Sequence, residues 1–313
     1  MSTKRPVKLN TVYLGLLLFV IAQILILIVA PRIDPFLEEK DIDIPTQPSA
    51  PISWWPGEVT LPDGEVIEVP AHSAVGPILI YILAAAAVLG LTLSKIPLTA
   101  LKVILRLLFA LLFSWGAFIA TVFYVPLPVA VAIAVVFGAF WFLKPLVWLH
   151  NLVLILAVSS LGAVFGRFIT PWTAMAIILA LAIYDFLAVR FKFMLWMADK
   201  LSQINALPAL IIPKNYSEWN LNLNKHEEKV IKANPAGREY SILGGGDIAF
   251  PCLLTASVYF AQQDLRPAAI IAVLGLLGLV SVYAIQAIFL KGKPMPALPP
   301  IAAFTLVGLL IIS

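Results

Sequence analysis

Cysteine is almost missing from this sequence, with Cys252 the single one. A lone thiol excludes an intrachain disulfide and any Cys-rich metal site. Its apolar surroundings leave it unreactive. Histidine is scarce too: His72, His150 and His226 lie far apart without metal-ligand spacing. They are expected at solvated or interfacial positions. Charge is sparse, at 12% of 313 residues against 61% hydrophobic. A soluble domain carries about 25% charged and about 45–50% apolar residues. No basic tract is present, so the net charge of +4 does not point to nucleic acid. Internal repeats and low-complexity tracts are likewise missing. The basic stretch 1–10 precedes an apolar run too long for a signal-peptide core, and no small-x-small site follows. A retained first span is expected.

What the chain has in abundance is long apolar runs. Nine segments are each about long enough to cross a bilayer, at 11–30, 75–94, 101–125, 127–143, 147–166, 171–191, 244–262, 267–290 and 296–313. The expected fold is therefore an all-α polytopic membrane protein of about nine transmembrane helices, since helices satisfy their own backbone in lipid. It divides into a six-helix part, 1–191, a connection, 192–243, and a three-helix part, 244–313, forming one membrane domain. With a cytoplasmic N-terminus, seventeen of the twenty-one Lys and Arg fall inside and four outside. That asymmetry predicts the N-terminus in and the C-terminus out.

Two polar connections stand out. Residues 31–74 face outside and hold nine acids against two basic residues. Within them 59–69 read as a small hairpin around Asp63-Gly64. Trp54-Trp55 fits either hairpin core or an interfacial anchor. The second connection, 199–240, reads as mobile and solvated from its Asn, Lys and Glu content.

Only two acids lie well inside apolar spans, Asp185 in span six and Asp247 at the start of span seven. A carboxylate in lipid costs several kcal/mol, which marks it as a functional candidate. Span six runs inward and Asp185 precedes its end by ~7–8 Å. Span seven runs outward and opens on Asp247, so the two acids share a depth. Two such carboxylates share one proton, and the pair can activate water and polarise a carbonyl. Tyr184 points about 100° away around the helix. It either orients substrate or packs as an ordinary aromatic.

Glycine and proline mark the same end of the membrane. Gly244-Gly245-Gly246 permits unwinding, close backbone approach or tight helix packing. Taken alone it reads as a hinge, but here it ends in Asp247. Pro294 to Pro300 cannot continue a regular helix, so this stretch reads as an extended or broken entry to span nine, or as a simple helix-start signal. A second Pro-Ala-Leu, at 208–210, lies in the polar connection and is taken as chance. Ser159-Ser160, Gln23 and Gln286 read as interhelical contacts. These residues alone leave three functions open. One is a two-aspartate protease, one a proton- or cation-coupled transporter or channel, and one a structural acid pair.

Tyr184-Asp185, Gly244-Gly245-Gly246-Asp247 and Pro296-Ala297-Leu298 resemble the Tyr-Asp, Gly-x-Gly-Asp and Pro-Ala-Leu motifs of presenilin and signal peptide peptidase. Their order and their placement on spans six, seven and nine are also similar. The resemblance implies an intramembrane aspartyl protease, with Asp185 and Asp247 catalytic. It implies that Pro296, Ala297 and Leu298 shape the active site, and no cofactor or metal is expected. Partners are transmembrane-helix substrates and the lipid bilayer, with no nucleic acid and with a homo-oligomer among the allowed assemblies. The orientation is presenilin-like, while Asp247-Ile248-Ala249-Phe250-Pro251 is closer to the peptidase branch. A microbial homologue of both, in the cell membrane, is the simplest account. Substrate backbone is expected to unwind at the acids and add as a strand near span nine.

Overall fold

The computed structural model describes residues 11–44, 47, 52–60, 64–95, 97–190, 207–223, 240–289 and 295–312. Among them are nine helices: α1 (Thr11–Glu39), α2 (Val75–Lys95), α3 (Leu98–Val122), α4 (Leu127–Leu143), α5 (Val147–Gly166), α6 (Pro171–Arg190), α7 (Gly245–Gln262), α8 (Leu265–Ile288) and α9 (Leu298–Ile312). The nine expected spans are all present, and five helices are long and apolar enough to cross a membrane. Two antiparallel strand pairs accompany them. β1 (Gly57–Thr60) pairs with β2 (Val66–Val69), and β3 (Ala209–Pro213) pairs with β4 (Tyr240–Gly244).

Sequence punctuation explains most boundaries. Pro126 precedes α4, whose second residue is Pro128. The Thr170 hydroxyl accepts from the Thr173 N–H at 3.2 Å, ahead of Pro171 at the head of α6. Asp264 caps α8 through the Arg266 N–H at 2.9 Å. Just before it, Gln263 adopts a left-handed φ of 51° and closes α7 sharply.

α1 departs from expectation. It continues to Glu39 through Pro31 and Pro35, so 31–39 are helix rather than loop. Its 29 residues, at about 1.5 Å each, outrun an apolar core of about 30 Å. The excess turns meet protein instead. Asp34 accepts from Arg167 Nε at 2.6 Å, and Arg167 Nη1 also donates to the Ile44 carbonyl at 2.8 Å.

α5 is the central helix, packed by α1, α3 and α7. Small residues let it approach its neighbours. A Cβ on Gly116 would overlap the Ala157 backbone, and one on Gly166 would lie 2.9 Å from the Ser257 nitrogen. Ser159 and Ser160 donate to the Ala22 and Gly116 carbonyls at 3.1 and 2.9 Å. Thr255 donates to Gln23 at 3.0 Å. These are the expected interhelical contacts. Gly162 neighbours Cys252 and Gly166 neighbours Ala256, so α5 and α7 run in the same direction. α2 lies at the margin, packed against α6 and α3 with most of its surface exposed. Trp54 and Trp55 are exposed, which rules out the hairpin-core reading, and Val69 and Ala74 form that small core.

The connection between α6 and α7 also corrects the sequence reading. Its described part is not a solvated loop. All five residues of β3 are buried. Residues 221–223 dock on the head of α5, with Val147 N–H to the Leu221 carbonyl at 3.1 Å and Leu223 N–H to the Pro145 carbonyl at 2.9 Å. The apolar run Leu210-Ile211-Ile212 drives this burial, outweighing the polar composition around it. His226 and residues 191–206 and 224–239 lie outside the described residues.

Candidate active site

β4 leads directly into α7, so the strand fixes where that helix starts. Gly244 is the residue before the helix, and Asp247 lies in the first turn. The Asp247 carboxylate reaches back to the Gly244 backbone, as an acid at the third helical position does in a capping box. The approach is close: a Cβ on Gly244 would lie 2.9 Å from Asp247 Oδ2. Gly245 is tight for another reason. Its N–H donates to the Pro208 carbonyl at 2.8 Å, and a Cβ there would lie 2.7 Å from the same oxygen. Gly246 is exposed, and its Cβ would meet only the Phe250 ring, at 3.6 Å. The three glycines therefore differ in surroundings, with Gly244 and Gly245 in close backbone approaches and Gly246 open.

Asp185 lies on the last turns of α6 and is half-buried. Its Oδ2 accepts from the Leu298 backbone N–H at 3.3 Å, and the Ala297 backbone faces the same carboxylate. Met295 to Ala297 are not helical, and α9 begins at Leu298. Met295 to Ala297 thus form the expected non-helical entry and end on Asp185, while Pro299 and Pro300 fall in the first turn of α9 as a helix-start signal. Asp247 is also half-buried and lies within electrostatic reach of Asp185. Each acid faces the N-terminus of a helix, Asp247 that of α7 and Asp185 that of α9. Free N–H groups there favour an oxygen acceptor.

The fold thus brings Asp185, Asp247, Gly244 to Gly246, Ala297 and Leu298 to one end of the bundle. Tyr184 is 40% exposed beside Asp185 and borders an apolar cleft of about 160 Å³ between α2 and α6. Pro296 is half-buried next to this group. No group of three or more potential metal ligands occurs among the described residues.

Three features escaped the sequence reading. Tyr283 on α8 is within electrostatic reach of Asp247, and its hydroxyl lies against Gly15 of α1. Its signal is a polar pair with Gln286, three residues apart on one helical face. Pro208-Ala209-Leu210 is not incidental: it anchors Gly245 and starts β3, with Ala209 opposite Gly244. His150 is buried at 1% exposure rather than solvated, because α4 and β3 close over the head of α5. His72 is exposed, as expected, and stacks edge-on to Phe168.

Comparison with known proteins gives a family and a fold. Residues 69–313 match the family model described as signal-peptide peptidase, presenilin aspartyl protease. No curated protein matches the chain. Two solved structures of a presenilin family intramembrane aspartate protease share the fold, in P2 and C222 space groups. The first has a TM-score of 0.53 at 17% identity, covering 94% of this chain and 95% of the other. The second has a TM-score of 0.55 at 17% identity, covering 96% and 97%.

Proposed function

The chain belongs to the signal-peptide peptidase, presenilin aspartyl protease family, and on that footing we propose that Asp185 and Asp247 together hydrolyse peptide bonds within transmembrane helices. The protein is an integral membrane, aspartic-type endopeptidase. The observation that supports the two-residue assignment is the placement of both acids at one end of the bundle, each facing a helix N-terminus and within electrostatic reach of the other.

In this reading the pair holds one proton. The ionised carboxylate takes a proton from water as that water attacks the scissile carbonyl. The protonated partner donates to the carbonyl oxygen, and the proton later passes to the leaving amine. The Leu298 N–H holds one oxygen of Asp185, so the remaining lone pairs are directed to the reacting atoms. An intact helix keeps its amide groups in its own hydrogen bonds. Substrate therefore unwinds before it reaches the acids. The cleft between α2 and α6, ending at Tyr184, supports a lateral approach from lipid. The sheet that would receive the unwound segment is β3–β4, immediately before α7, rather than backbone near span nine. Tyr184, Gly246, Pro296 and Ala297 are assigned to shaping that path. The Lys and Arg distribution supports a dyad on the cytoplasmic side, with the N-terminus inside and the C-terminus outside.

The test is cleavage of a transmembrane peptide by purified protein in proteoliposomes. Asp247→Ala is expected to abolish it. Cleavage that persisted in this variant would remove Asp247 from the mechanism.

A further inference from the structure

Two polar side chains at the head of α5 take no part in the acid pair, yet both are buried at 1% exposure. Asn151 Nδ2 donates to the Ile211 carbonyl at 2.8 Å, and its Oδ1 accepts from the Ile211 N–H at 2.9 Å. A neighbouring antiparallel strand would make the same two bonds to Ile211. The amide orientation is fixed, because a backbone N–H only donates and a carbonyl only accepts. His150 continues the edge. Its Nδ1 accepts from the Trp141 indole N–H at 3.2 Å, and its Nε2 lies 3.0 Å from the Ala209 carbonyl. An indole N–H only donates, so the Nε2 carries the proton and donates to Ala209.

The alternation of an antiparallel ladder then determines the other edge. Ile211 turns its N–H and carbonyl away from β4, so Leu210 and Ile212 make the ladder bonds. Ile242, opposite Ile211, must turn its own N–H and carbonyl away from β3. No third strand lies on that side among the described residues. Ile242 is 39% exposed and precedes Asp247 by five residues.

We propose that His150 and Asn151 are positioning residues that close the α5-facing edge of the β3–β4 sheet and so fix how its opposite edge, at Ile242, open among the described residues, is presented to a substrate strand. This rests on the protease reading above. Held to α5 at Ala209 and Ile211, β3 fixes the register of β4, and the Pro208 carbonyl fixes the start of α7. The peptide bond presented to Asp247 is then set by which substrate residue pairs with Ile242. The two side chains act on the choice of bond, through the sheet, and touch neither acid.

The experiment is mass spectrometry of the products from one transmembrane peptide, using the full chain in proteoliposomes. Asn151→Leu and His150→Leu are expected to cut about tenfold more slowly per folded molecule and to spread cleavage onto adjacent bonds. His150→Gln, which keeps a donor near the Ala209 carbonyl, is expected to restore the original bond choice. Should Asn151→Leu fail to fold, Asn151→Asp keeps the size but sets a carboxylate oxygen against the Ile211 carbonyl, and the same spread is expected. Lower thermal stability with unchanged proportions of the same products would make both residues structural and overturn the proposal. An unaltered protein that cleaves no peptide removes the protease reading and this inference with it. Unaltered activity with unchanged bond choice in the variants removes the inference alone.

Discussion

The backbone N–H of Leu298 donates to Oδ2 of Asp185 at 3.3 Å, joining the first residue of α9 to the last turns of α6. The contact explains why a non-helical Pro-rich stretch and an intramembrane acid belong to one site. Proline cannot donate, so Pro296 leaves the approach to α9 open, and the first available N–H groups, at Ala297 and Leu298, face the carboxylate. Substituting either acid or the helix packing behind it should therefore have separable effects.

Asp185→Asn keeps a carbonyl oxygen for the Leu298 N–H but cannot share a proton. The variant should fold with an unchanged thermal midpoint. Its cleavage rate should fall by about 10²–10⁴-fold. Parallel unfolding and peptide-cleavage measurements check both halves, and full activity would leave the acid pair a structural lock.

Gly244→Ala and Gly246→Ala should behave differently despite their proximity. The first sets a Cβ 2.9 Å from Asp247 Oδ2, so the carboxylate must move and activity should drop at least about tenfold. The second meets only the Phe250 ring at 3.6 Å. Replacing an exposed helical glycine with alanine should then stabilise the protein by up to about 1 kcal/mol. Any loss of activity there would appear in KM, as substrate backbone loses its close approach.

Gly278→Ala probes the support behind Leu298. A Cβ at Gly278 would lie 2.6 Å from Ile301 Cα, forcing α9 away from α8. A stability loss of about 1–3 kcal/mol is expected. Activity should fall with it, because α9 carries the donor to Asp185. A thermal shift without an activity change at low temperature would mean that α9 adjusts independently of its first turn.

Arg167→Leu tests the opposite end of the bundle. It leaves Asp34, whose side chain is 25% exposed in the present pair, without its cation and with only Gln263 Nε2 donating to its other oxygen at 3.4 Å. Breaking a largely buried pair costs about 3–5 kcal/mol, and the partial exposure of Asp34 places this case at the lower end. Thermal unfolding should register the loss. The cleavage rate well below the melting midpoint should stay unchanged, since the ion pair lies at the far ends of α1 and α5 from the acids.

Much of the architecture was legible because membrane spans announce themselves locally. α4 and α5 begin and end at the expected residues, since Pro126, Lys144-Pro145 and Arg167 bound them. α1 ran past its expected end because Pro31 and Pro35 are tolerated where Arg167 and Ile44 hold the added turns. Composition misjudged the α6–α7 connection for a similar reason. Five apolar residues suffice for a buried strand once α5 offers Asn151 to its edge, and average polarity over forty residues conceals them.

By itself the sequence determined the spans, the two acids and the glycine and proline runs beside them. Hydropathy and chain stiffness act over one or two turns, and lipid leaves a backbone few alternatives to helix. Only the tertiary structure decided which backbone groups meet those acids and which strand edge stays open. Such contacts join residues 113 apart, as at Asp185 and Leu298, or 60 apart, as at Asn151 and Ile211. Their partners are set by how helices pack, a property no local stretch of chain contains.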